Sequence, residues 1–260
     1  MLRIDLNCDM GESFGAWRKG LDEEVINFVS SANIACGWHA GDSHVMNRTV
    51  QMAAARGVGV GAHPGYPDLE GFGRRSIDCT MDEIRDYVIY QIGALQAFCA
   101  RHRVQMRHVK PHGSLYNAAS ENVEVAAAIA EAIVSVGPDL IFVGLAGPKG
   151  AHIRTIGTRL GLRIALEAFA DRAYTPDGNL VSRRLPGAVL TDVSLVADRA
   201  VRIAKEGTVV AIDGTVIDLN VQTVCVHGDT PGAVEMVKRI RDTLDAEGVL
   251  VQPMEPAPQE

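Results

Sequence analysis

Six short stretches of this chain cluster titratable side chains, five of them with glycine or proline. DLNCDMGESFG (5–15) carries Asp9 and Glu12, and NIACGWHAGD (33–42) carries His39 and Asp42. GAHPGYPDLEGFGRR (61–75) carries His63, Arg74 and Arg75, and VKPHGSLYN (109–117) carries Lys110 and His112. EAFADRAY (167–174) contributes Asp171 and Arg172; VHGDTPGA (226–233) contributes His227 and Asp229. Carboxylates and imidazoles move protons near neutral pH, and a lysine beside a histidine on a stiff loop suits anion stabilisation coupled to proton transfer. Guanidinium groups engage two oxygens of a carboxylate or phosphate at once. Taken singly, each stretch also has a plain reading: a helix-capping acid, a satisfied core histidine, an exposed Arg74–Arg75 pair. Cys8 and Cys36 read as small packing residues rather than nucleophiles.

Position separates these stretches from ordinary loops. Each ends a strand-like run: LRIDLN (2–7), SANIAC (31–36), VGVGA (58–62), VQMRHVK (104–110), LRIALEAF (162–169) and TVCVH (223–227). LIFVG (140–144) and TVVAI (208–212) complete the set of apolar runs. Helical patterns lie between them. One begins after Asp42 and stops at Gly57, and a second opens with Thr80 and Glu83 at capping-box spacing. Others run from 122, 193 and 232, and each stops at or near a glycine. Alternation of this kind predicts a parallel sheet covered by helices, and seven or eight units fit a closed β/α barrel. Residues from several strand ends of such a barrel converge on one mouth. The expectation is one barrel domain over 1–252, with a Pro-rich tail over 253–260.

Composition narrows the function classes. The chain has 260 residues, 47% hydrophobic and 22% charged, with a formal net charge of −7. That acidic balance argues against a general nucleic-acid or anionic-membrane binder. No apolar run reaches the length of a membrane span and no signal peptide leads the chain, so the expected location is cytoplasmic. Five scattered cysteines do not read as a disulfide framework. No nucleotide-binding P-loop is present; GLAGPKGA (144–151) lacks both the spacing and the final Ser or Thr. There is no GxSxG nucleophile elbow either. Asp9, His39 and His63 form a one-carboxylate, two-histidine set that would suit a divalent metal.

In order and over about Asp5–Gly232, these motifs resemble the LamB/YcsF family, the A subunits of prokaryotic 5-oxoprolinases. Trp38, Ser114 and Ala168 depart from the pattern expected of it, and none of the three removes an ionisable group. The resemblance implies a seven-stranded, distorted β/α barrel like those of glycoside hydrolases and polysaccharide deacetylases. It also implies cleavage of the 5-oxo-L-proline lactam to L-glutamate with ATP hydrolysis, in company with subunits B and C. ATP would then bind a partner subunit, which agrees with the missing nucleotide motif. On that reading, Asp9 or Asp229 is the base and His39 or His112 the proton donor. Lys110 stabilises an oxyanion or phosphoryl group, and Arg172 with Arg74 or Arg75 binds anions. Glu12, His63, Asp171 and His227 join the catalytic set, and Asn7, Asn33 and Asp42 the substrate-binding set. Two rivals stay open: a stand-alone metal-dependent amide hydrolase of the deacetylase type, and a non-catalytic ligand-binding subunit. Oligomeric state, including a homo-oligomer, stays open too.

Overall fold

The computed structural model describes residues 1–228 and 232–254. The elements follow in order as β1 (Arg3–Met10), α1 (Asp22–Val25), β2 (Ser31–Ala35), α2 (Ser43–Arg56), β3 (Gly59–His63) and α3 (Met81–His102). Next come β4 (Met106–Val109), α4 (Gly113–Glu121), α5 (Val123–Val136), β5 (Ile141–Leu145), α6 (Ala151–Leu160) and β6 (Arg163–Phe169). The chain continues through α7 (Val193–Glu206), β7 (Thr208–Val210), β8 (Val216–Asp218), β9 (Thr223–Cys225), α8 (Ala233–Ala246) and β10 (Leu250–Val251).

Seven parallel strands close the barrel, each pairing with the next from β1 to β6, then β6 with β9 and β9 with β1. Local chemistry sets the helices. Asp42 accepts from the backbone amides of His44 and Val45 to start α2, and Gly57 ends it at φ 68°. Thr80 and Glu83 form the capping box of α3. The run TVVAI is the exception among the expected strands. Its first residues form β7, which pairs antiparallel with β8 outside the barrel. Six barrel strands therefore precede it, and TVCVH supplies the seventh. Short β10 pairs with the start of β1, and Met254 beyond it is buried against Ile141, Val143 and Ala165. Residues 255–260 of the expected tail lie outside the described part. No described helix is long and apolar enough to cross a membrane.

The barrel interior is polar. Ile4, Leu6, Cys8 and Met10 of β1 join the main apolar core. Alternation along a strand then directs Asp5, Asn7 and Asp9 to the opposite face. Asn33, His108, Lys110, Glu167 and Thr223 meet them there through hydrogen bonds. At the base, Asp5 accepts from Ser30 and Ser31 at 2.7 Å and from Thr223 at 2.5 Å. Above it, Asn7 donates to Glu167 and accepts from Asn33. Each buried polar group must find a partner, so this column fixes strand register from within.

Candidate active site at the barrel mouth

The column ends in a cavity of about 880 Å³ at the C-terminal ends of the strands. Asp9, Glu12, His63, Arg74, Lys110, His112, Arg172 and His227 line it, as the strand-end pattern predicts. At its floor, the Lys110 ammonium lies 3.1 Å from Asp9, 2.9 Å from Glu167 and 3.1 Å from the Cys225 sulfur. Burial alone would depress this lysine, but Asp9, Cys225 and Glu167 outweigh it and hold the ammonium well above its ordinary value. Burial would likewise raise Asp9. His63 and Lys110 prevail, and its carboxyl is held well below the usual range. Lys110 is therefore a fixed, buried cation aimed at the ligand space.

Two imidazole systems flank that cation. On one side, His227 Nδ1 lies 2.7 Å from Asp171 Oδ2, and Arg183 Nη2 lies 2.6 Å from His227 Nε2. An arginine can only donate, so Nε2 accepts and Nδ1 carries the hydrogen toward Asp171. Burial would raise Asp171, but His227 outweighs it and lowers the carboxyl. This is an oriented imidazole at the cavity wall, with Arg183 covering its second nitrogen. On the other side, His63 lies 2.9 Å from His112, and His39 stacks on His112 with ring centroids 3.8 Å apart and planes at 4°. Burial, then His63, pushes His112 down to about 3. Burial, with His112 and His63 beside it, holds His39 well below its ordinary value. His39 does not line the cavity; it sits behind His112. The loop after β3 closes over this trio. Gly73, at φ 62°, is needed there because a Cβ would come within 2.8 Å of both His112 and His39.

Several predicted residues do other work. Asp42 caps α2 and also accepts from the Gly15 amide at 2.7 Å, away from the mouth. Asn7 and Asn33 lie inside the barrel beneath the cavity, where they fix Lys110 and Asp9. Arg75 is tied to Asp68 within its own loop. Arg172 lines the cavity, yet its Nε and Nη2 donate to the carbonyls of Ala188 and Val181. It thereby tethers the loop that carries Arg183. Asp229 lies outside the described residues. Sequence reasoning missed Glu167, His108, Arg183, Tyr116 and Phe169. Glu167 alone carried a signal, a carboxylate in the apolar run LRIALEAF.

Among the described residues, two clusters have metal-donor chemistry: Glu12, His39, His63 and His112, and Asp9, Cys225 and His227. The second does not suit a cation. The Lys110 ammonium already faces Cys225 and Asp9, Arg183 faces His227, and burial pushes the Cys225 thiol well up. The first has donors suited to a metal, and the hydrogen bonds of His63 and His112 run to each other and to backbone carbonyls. The expected trio of Asp9, His39 and His63 is therefore redrawn around His112 and Glu12.

Comparison with known proteins places this geometry. The LamB/YcsF family model matches residues 4–259. The chain belongs to the LamB/YcsF family. It is 51% identical to the 5-oxoprolinase A subunit of Pyrococcus horikoshii over 253 residues, covering 97% of this chain and 98% of that one. The 5-oxoprolinase A subunit of Natranaerobius thermophilus is 55% identical over 249 residues, 96% of each chain. The crystal structure of a lactam utilization protein from Thermus thermophilus is similar at a TM-score of 0.91 and 43% identity, covering 97% of this chain and 100% of that one. These LamB/YcsF relatives match over the full barrel, so the resemblance read from the motifs and the seven-stranded fold both hold.

Proposed function

We propose that this chain is the A subunit of a 5-oxoprolinase, hydrolysing the lactam of 5-oxo-L-proline to L-glutamate. The observation that carries the reading is its near-full-length similarity to proteins of that name. A cavity with a fixed cation and an oriented imidazole supports it chemically.

A lactam carbonyl is a poor electrophile. ATP, bound on a partner subunit, would phosphorylate the amide oxygen and so activate the ring carbon. Water then adds to that carbon as His227, oriented by Asp171 and freed once Arg183 turns from its Nε2 to the incoming anion, takes its proton. The ring C–N bond breaks, the nitrogen takes a proton, and a second water hydrolyses the acyl phosphate to carboxylate and phosphate. Lys110 stabilises negative charge developing on oxygen, and Arg74 and Arg183 face the phosphoryl group or substrate carboxylate. The expected role of Asp9 as base passes to His227, because Asp9 is committed to Lys110 and Asn33 and its lowered carboxyl is a weak base.

Subunits B and C are the proposed partners, and the proposed compartment is the cytoplasm. The test is glutamate release from 5-oxoproline with ATP by the purified chain, alone and with B and C. Activity that needs every component supports the reading; full activity from B and C without this chain sinks it. A second reading, a metal-dependent amide hydrolase acting alone, is favoured by the Glu12, His39, His63 and His112 cluster. Chelator-sensitive turnover by the lone chain would select it.

A further inference from the structure

The hydrogen bonds around His63 and His112 fix both tautomers. His63 Nδ1 lies 2.7 Å from the Lys110 carbonyl, and His112 Nε2 lies 2.9 Å from the Phe72 carbonyl. Carbonyl oxygens only accept, so these two nitrogens carry the hydrogens. In neutral rings the remaining nitrogens, His63 Nε2 and His112 Nδ1, present lone pairs to each other at 2.9 Å. Negative charge crowds the same point: Asp9 Oδ2 lies 3.3 Å from His63 Nε2, and Glu12 Oε1 lies 4.0 Å from His112 Nδ1. Facing lone pairs beside carboxylates need a positive species between them.

His39, stacked on His112, is a further unsatisfied group beside this point. It is fully buried, and neither of its ring nitrogens has a hydrogen-bond partner. One of its nitrogens lies within 4.8 Å of donor atoms from Glu12, His63 and His112. A buried imidazole is costly to leave unpaired. A single proton shared by His63 and His112 would answer their lone pairs and leave His39 as it is. A metal ion would answer the facing lone pairs of His63 and His112 together with both carboxylates, and His39 would join it only by tilting out of its parallel stack on His112. The His63–His112 spacing of 2.9 Å and the Asp9–His63 spacing of 3.3 Å are close to the edges, about 3.0–3.5 Å, of a polyhedron around an ion bonded at about 2.1 Å, and Glu12 at 4.0 Å would close in on it.

We infer that His63, His112 and Glu12 form a binding site for one first-row divalent metal ion, with Asp9 as the adjoining carboxylate and His39 stacked against His112. Imidazole with carboxylate suits zinc, cobalt or manganese and not magnesium or calcium, which prefer all-oxygen sets. The two backbone carbonyls are the outer partners that orient ligating histidines. When bound, such an ion would supply Lewis acidity at the edge of the cavity. The inference concerns the site itself and stands whether or not the substrate is a lactam.

The test is binding, read without turnover. The chain is stripped with chelator, then titrated with Zn²⁺ by calorimetry and with Co²⁺ by visible absorption. The expected result is one ion per chain and a cobalt spectrum with nitrogen ligation. His112→Ala should weaken Zn²⁺ affinity by more than about 100-fold, beyond what loss of an outer partner costs. Glu12→Gln, which keeps size and lies at the cavity rim, should weaken it measurably with the circular dichroism spectrum unchanged. His102→Ala, on α3 and outside the cluster, should bind as the parent does. No saturable binding by the folded parent chain would overturn the inference and leave a shared proton between the rings. Binding that survives both His112→Ala and Glu12→Gln would overturn it as well.

Discussion

Lys110 Nζ and Glu167 Oε1 meet 2.9 Å apart inside the barrel, both almost wholly removed from water. The lysine comes from the end of β4 and the glutamate from β6, so the pair spans the sheet. Asp9 shares the same ammonium. Lys110→Met would strand two carboxylates, and breaking such a buried pair from one side costs about 3–5 kcal/mol. Urea unfolding should show a loss of that order, along with loss of activity in the assembled enzyme. Adding Glu167→Gln to Lys110→Met should restore part of the stability and none of the turnover. If the double variant lost the sum of the two single losses, the pair would not be energetically coupled.

Asp171 orients His227, and that assignment has a kinetic signature. Asp171→Asn should reduce kcat by about 100-fold or more, the usual share of a positioned general base, with a smaller change in KM. Arg183→Ala should raise KM more than it lowers kcat if the guanidinium binds an anionic group. Steady-state kinetics of the full complex separates the two. A loss below about threefold for Asp171→Asn would remove His227 from the proton-transfer role.

Gly61 leaves space for a ring. A Cβ built there falls 2.0 Å from His108 Nε2, the atom that bonds Asn33 at 2.8 Å. Gly61→Ala should cost about 1–3 kcal/mol through overpacking and the broken hydrogen bond. His108→Ala should cost stability alone, yet make Gly61→Ala nearly neutral when the two are combined. Thermal unfolding of the four proteins of this cycle checks the coupling.

Legibility in the sequence followed geometry. Asp9, His63, Lys110, His112 and His227 were readable because strand ends in a parallel barrel share one mouth, and glycine or proline marked each end. The polar column was readable only in part: Asn7, Asn33, Asp9 and Lys110 were among the expected site residues, while Asp5, His108 and Thr223 were not. Parallel strands covered by helices read as apolar runs, so Glu167 between Leu166 and Ala168, and His108 between Arg107 and Val109, carried no periodic mark. TVVAI was β-branched and apolar like a barrel strand, but only pairing could tell a surface hairpin from the sheet. Arg183 sits in VSRRLPG, which reads as a solvated loop. Its approach to His227 depends on the fold of the loop that Arg172 tethers. Asp42 was misplaced because a helix cap and a site carboxylate look alike in sequence.

Asp5, at the base of the column, predicts a pH dependence with a definite sign. Burial raises its carboxyl from 3.8 to about 6, against the hydrogen bonds from Thr223, Ser31 and Ser30. The fold therefore binds this proton more tightly than the unfolded chain does. The contribution is fully present below the unfolded value of 3.8 and is lost as pH rises through about 6. Asp5→Asn removes that titration and keeps the size of the side chain. Measured by urea unfolding, the parent should lose up to about 3 kcal/mol relative to Asp5→Asn between pH 4 and pH 7. A constant difference across that range would mean that Asp5 titrates alike folded and unfolded, and a difference of opposite slope would mean that its hydrogen bonds outweigh burial.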